Sequence, residues 1–267
     1  METVSVPERS PLKVSPVGIA ALLLGLALVS WIVTFNRMRG MDAGPGTDLG
    51  GLGWFLGIWV TMMAAMMLPS VAPMVLAYAR VGRARPARAS TPVFVSAYFA
   101  AWACYGLLAY GVFRLIDAFD MGALAWDRAG PYVAGGAIVA AGLYQLTPLK
   151  DVCLRHCRSP IHFLAHGWRD GARGAFRMGF THGLYCVGCC WGLMLVLFSL
   201  GVMSLVWMAA IAGVIFAEKV LPWGERLTRV IGVAFVVLGL WIMAAPDTVP
   251  GLTDPGSDMA PSMEMEG

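Results

Sequence analysis

GFTHGLYCVGCCWGLMLVLFSLGVM, residues 179 to 203, carries no formal charge and is long enough to cross a bilayer, whose hydrocarbon core takes about 20 apolar residues as a helix. Extended back by one residue, this helix stacks Met178, His182, Cys186, Cys190 and Met194 at steps of four, which places them on one stripe. The segment reads as a membrane helix with soft ligands turned toward the protein interior. Thiols, thioethers and an imidazole suit Cu(I) or Zn(II), and the cysteines alone also suit thiol redox chemistry.

The whole chain has the same character. It is 58% hydrophobic and 13% charged, against about 25% charged in soluble globular proteins. The expected fold is all-α, a polytopic transmembrane helix bundle. Apolar stretches fall at 17 to 36, 54 to 79, 92 to 113, 131 to 147, 179 to 201, 203 to 221 and 229 to 245, seven helices, with six as the alternative count. The fourth is the weakest, starting at Pro131 and containing Gly135 and Gly136. The first follows Arg9 and Lys13 but has no small-residue cleavage site after it, so it is expected to stay as an anchor.

Lys and Arg alternate from loop to loop. One side receives Arg9 and Lys13, then Arg80, Arg83, Arg85 and Arg88, then Lys150, Arg155, Arg158, Arg169, Arg173 and Arg177, then Lys219, Arg226 and Arg229. The other receives Arg37, Arg39, Arg114 and Arg128 with several aspartates and an acidic tail. By the positive-inside rule the N-terminus is cytoplasmic and the C-terminus outside. The expected organisation is a cytoplasmic segment 1–16, one membrane domain 17–246, and a Met-containing acidic tail 247–267 expected to be disordered. The longest connection, 148 to 178, is below the usual domain minimum of about 50 residues.

That connection carries a second cluster. In YQLTPLKDVCLRHCRSP, residues 144 to 160, Cys153, His156 and Cys157 stand at i, i+3 and i+4 and share a face if the fourth helix continues past Pro148. Cys186 lies two turns, about 12 Å, inside Met178, so both clusters belong to the cytoplasmic half. A third feature is MMAAMM in the second helix: Met62 and Met66 share one face, Met63 and Met67 the next. Pro69 and Pro73 follow, and this half of the helix is expected to be kinked or broken, as helices lining cavities are. Simpler readings exist for other residues: packing for the methionines and Cys104, a headgroup-level surface helix for His162 and His166, helix contact for Gly188 and Gly192, pairing or snorkelling for Glu218 and Lys219, and no ligand role for Met259, Met263 and Met265.

MMAAMMLPSVAPM (62–74), AAGLYQLTPLKDVCLRHCRSP (140–160) and HGLYCVGCCWGLMLVLFSLGVM (182–203), followed by AEK (217–219), resemble the bacterial family of predicted metal-binding integral membrane proteins over about residues 54 to 246. The resemblance implies a metal-binding role for Cys153, His156, Cys157, His182, Cys186, Cys189 and Cys190, which all stand at the family's positions.

The expected function is handling of a soft metal, Cu(I) first and Zn possible, for transfer, transport or metalloenzyme assembly in a multi-pass protein of the bacterial inner membrane. Cys186, Cys189, Cys190 and His182 form an intramembrane site in this reading, Cys153, His156 and Cys157 a cytoplasmic exchange site, and Met62, Met63, Met66 and Met67 a path. Expected partners are the lipid bilayer and a soluble metal chaperone or an extracytoplasmic protein, with no nucleic acid. No GxxxxGK[ST] motif is present, which excludes an ATP-driven pump unless a partner supplies the energy. The enzyme-class alternative is a dithiol oxidoreductase using Cys186 and Cys189 as a C-x-x-C couple. A third is an assembly factor with a structural zinc clip.

Overall fold

A computed structural model describes residues 15–38, 50–83, 90–118, 130–200 and 205–245. The N-terminal segment up to residue 14, the tail with its methionines, and the connections bearing Arg39, Arg85, Arg88 and Arg128 lie outside the described residues. The chain is all-helical there: α1 (Pro16–Met38), α2 (Leu52–Arg83), α3 (Thr91–Ala118), α4 (Gly130–Gln145), α5 (Pro148–Arg158), α6 (Pro160–Gly167), α7 (Gly171–Leu200), α8 (Leu205–Val220) and α9 (Gly224–Ala244).

Among the described residues, five helices are long and apolar enough to cross a membrane: α1, α2, the Thr91–Val112 part of α3, the Gly171–Leu197 part of α7, and α9. The pair α4 and α5, bent by 65°, makes a sixth if taken together. These lengths are those of a multi-pass membrane protein. The sixth expected span, 203 to 221, corresponds to α8, which has 16 described residues, about 24 Å of helix against a hydrocarbon core of about 30 Å.

Helix contact is set by small residues. The α4 and α9 pair packs backbone to backbone, because Cβ atoms at Gly135 and Gly142 would lie 2.7 Å from the carbonyls of Gly239 and Gly232 respectively. On α7, a Cβ at Gly183 would meet the carbonyl of Tyr98 at 2.8 Å, so α3 lies close along α7. Trp59 Nε1 donates to the carbonyl of Trp102 at 2.9 Å, which ties α2 to α3.

Helix continuity is resolved at two places where the sequence left alternatives open. The fourth helix does not run through Pro148. It ends in a tight turn, with Leu146 and Thr147 N–H groups donating to the carbonyls of Leu143 and Tyr144, and a new helix starts with Thr147 as its cap and Pro148 in the first turn. Proline brings no N–H and clashes with the carbonyl four residues back, so restarting costs less than continuing. The expected break in α2 does not occur: Leu52–Arg83 is one helix with Pro69 and Pro73 inside it. Ser70 Oγ donates to the Met67 carbonyl at 3.0 Å, and close neighbours hold the rest, the usual reason proline survives in membrane helices.

Candidate metal centre

The α7 helix begins at Gly171, eight residues before the apolar run, so Met178, His182, Cys186, Cys190 and Met194 all lie on one helix, and all five are buried. Cys189 sits three residues after Cys186 and is buried with it. The restart at Pro148 folds α5 back against α7. Tyr144 OH donates to the Gly188 carbonyl, and a Cβ at Gly188 would lie 2.8 Å from Cys153 Sγ. Glycine there lets the bend close on the cysteine turn.

The consequence is a thiol cluster built from two separated segments. The sulfurs of Cys157, Cys186 and Cys189 all lie within 4.8 Å of one another. Cys157 Sγ is 3.7 Å from Cys189 Sγ, and Cys189 Sγ is 3.3 Å from Cys190 Sγ. A metal with sulfur bonds of about 2.3 Å holds its ligand sulfurs about 3.8 to 4.0 Å apart, so the cluster has ligand spacing. The division of cysteines into an α7 set and a separate loop set does not survive in the fold: Cys157 stands with Cys186 and Cys189. Cys153 is half-buried one turn away beside Gly188, and His156 stacks on Tyr185 with centroids 4.2 Å apart while its Nδ1 lies 2.8 Å from the Val152 carbonyl.

Around the cluster are groups that sequence patterning passed over. Cys186 Sγ receives Lys219 Nζ at 2.9 Å and lies 3.0 Å from Tyr98 OH. Lys219 Nζ also reaches Ser70 Oγ at 3.4 Å. Met62, Met66 and Ser70 follow at steps of four on α2, so the stripe carrying two methionines leads to the lysine that touches Cys186. Met62, Met63, Met66 and Met67 are all buried.

The neighbouring residue points elsewhere. Glu218 Oε2 pairs with Lys150 Nζ at 2.8 Å, and its Oε1 accepts from Gln145 Nε2 at 3.0 Å. Both ends of the ion pair are enclosed, at 1% and 0% exposure. Arg158 Nη2 donates to the Leu221 carbonyl at 2.6 Å and its Nη1 to the Glu218 carbonyl at 3.1 Å, which satisfies the end of α8 and fastens the end of α5 to it. Glu218 and Lys219 therefore do not pair with each other, and Lys150 and Lys219 are interior residues rather than loop charges. The available signal was that adjacent residues on a helix point about 100° apart; two buried charges in succession each need a separate partner.

His182 is 2% exposed and lies among Phe94, Tyr98 and Phe163, with ring centroids at 6.2, 6.0 and 5.4 Å. Its Nδ1 has no hydrogen-bond partner. Cys104 is exposed. His162 and His166 are exposed on α6 with centroids 4.4 Å apart.

Residues 56–242 match the family described as PpoB2, copper chaperone. The chain belongs to the PpoB2 copper chaperone family. The match covers α2 through most of α9 and so contains the whole thiol cluster, consistent with the metal-binding family expected from the motifs. No curated protein and no solved structure matches. Membership in PpoB2 and a cysteine cluster able to bind a metal together mark a metal-handling protein, and copper is the metal that the family's description names. The donor set fits that cargo: soft sulfur ligands in a buried site, with one buried imidazole nitrogen unpartnered.

Proposed function

We propose that this protein is a copper chaperone embedded in the bacterial inner membrane, which takes Cu(I) on Cys157, Cys186 and Cys189 and passes it to a partner. Its N-terminus is cytoplasmic and its C-terminus outside. Cys190 and His182 extend the site along α7, Cys153 and His156 form the exchange position on the α5 side, and Met62, Met63, Met66 and Met67 supply thioethers along α2. The donor is a soluble metal chaperone and the acceptor an extracytoplasmic protein, or the reverse. The observation that carries this reading is the set of three sulfurs within 4.8 Å, drawn from α5 and α7. Low-coordinate Cu(I) is served by two or three thiolates, whereas structural zinc takes four ligands, and the mutually close set here numbers three.

A dithiol relay is the second reading, favoured by the 3.7 Å approach of Cys157 and Cys189 sulfurs from different elements. Burial weighs against it, since Cys186, Cys189 and Cys190 are each 1% exposed and thiol exchange needs an accessible sulfur. Elemental analysis of anaerobically purified protein separates these readings. Stoichiometric copper, lost when Cys186, Cys189 and Cys190 are replaced by serine, is the expected result. Zinc in its place indicates the structural clip, and titratable thiols without metal indicate the relay.

A further inference from the structure

A lysine enclosed beside a thiol in the interior of a helix bundle needs a reason, because burying an ammonium is costly unless it has a partner. Lys219 is 9% exposed. Its ammonium lies 2.9 Å from Cys186 Sγ and 3.4 Å from the neutral Ser70 hydroxyl, while the adjacent Glu218 is occupied by Lys150 and Gln145. Among these contacts the thiol cluster is the only source of negative charge for Lys219. Tyr98 OH, 3.0 Å from the same sulfur, adds a polar contact without charge. Cys186 is thus the one sulfur of the three held by both a cationic and a neutral side chain from other helices, α8 and α3.

We propose that Lys219 is the specificity-determining residue of the centre, its fixed positive charge making the thiol cluster prefer monovalent Cu(I) to divalent Zn(II). The inference rests on the copper-handling reading above. Its logic does not depend on how many cysteines bind. For any given number of thiolates the zinc complex is one unit more positive than the copper complex, so a nearby ammonium favours the copper complex over the zinc complex by one charge–charge interaction. Cu(I) on two thiolates is a monoanion that Lys219 neutralises, whereas Zn(II) on the same pair is already neutral and the lysine leaves a net positive charge in a poorly solvated site. At a few ångströms and an intermediate dielectric, one unit of charge changes a binding ratio by about 100-fold or more.

The test compares the full-length protein in detergent with Lys219→Met, Lys219→Gln, Lys219→Arg and Tyr98→Phe, each titrated anaerobically with Cu(I) and with Zn(II) against chromophoric chelators. The ratio of Cu(I) to Zn(II) affinity is expected to fall by about 100-fold in both neutral variants. Lys219→Arg restores it, and Tyr98→Phe weakens both metals alike and leaves the ratio unchanged. Two neutral variants of different shape keep the comparison available should one of them misfold. An unchanged ratio in Lys219→Gln or Lys219→Met, or the same fall in Lys219→Arg as in the neutral variants, overturns the assignment while leaving the chaperone reading intact. Failure of the unsubstituted protein to bind Cu(I) at all removes the chaperone reading and this inference with it.

Discussion

Cys157 and His182 are where single residues carry the most information. Cys157 is remote in sequence from the cysteines it meets, yet its sulfur lies 3.7 Å from Cys189 Sγ, while Cys153, one turn earlier on the same helix, rests beside Gly188. Cys157→Ser is expected to weaken Cu(I) binding by more than the roughly 10- to 100-fold that outer-shell changes produce, and Cys153→Ser by less. Chelator competition measures both, and the reverse order would move the site toward the bend. His182 offers a cleaner separation of packing from ligation. Its Nδ1 is buried without a partner among aromatic rings, so His182→Phe fills the space and removes an unsatisfied polar atom, which costs about 1–3 kcal/mol when left buried. We expect thermal stability unchanged or raised and Cu(I) affinity lowered about tenfold; unchanged affinity would make His182 a core residue. Both positions were legible as candidate ligands from residue type and spacing, but the grouping of Cys157 with Cys189 was not, because it depends on a chain reversal that local spacing does not encode.

At the level of elements, the α5 helix is held by polar contacts rather than by its length. Lys150 with Glu218 fastens its start, and Arg158 with the Glu218, Leu221 and Pro222 carbonyls fastens its end. Glu218→Gln leaves Lys150 buried without a counter-charge, and breaking a buried pair in this way costs about 3–5 kcal/mol. The expected result is a lower denaturation midpoint together with faster labelling of Cys157 by a thiol reagent, since docking of α5 is what shields that sulfur. Combining Lys150→Met with Glu218→Leu removes both charges and is expected to restore stability; if it does not, the pair does more than balance charge. Sequence reading offered pairing or snorkelling for Glu218 and Lys219, whereas helical geometry sends them to different neighbours. It also offered a kink or a break at Pro69 and Pro73 and left continuity at Pro148 open; α2 stays one helix, and the chain restarts at Pro148. The turn at Leu146 and Thr147 gives the chain another way to satisfy its backbone at Pro148, and α2 is enclosed by neighbours that keep it helical.

For the whole molecule, the four methionines of α2 form part of the buried core that also contains the α7 cysteines. Replacing Met62, Met63, Met66 and Met67 together by leucine conserves volume, at less than about 1.5 kcal/mol per site. Stoichiometric copper at the thiols should survive, and exchange of that copper with an external chelator should slow; an unchanged exchange rate would assign the methionines to packing alone. The all-helical, membrane-type character follows from the residues alone, because a run such as 179–203 without charge is driven out of water whatever its neighbours are. The residues also determined the chemistry available, since sulfur and imidazole ligands are properties of residue type. Which of those groups meet is a property of the packed fold. The 65° bend after α4, the glycine contacts that let α3 and α5 approach α7, and the buried cations that find separate partners are relations between elements far apart in the chain. They arise from close packing and from satisfying charges in a poorly solvated interior, and no local window of sequence contains them.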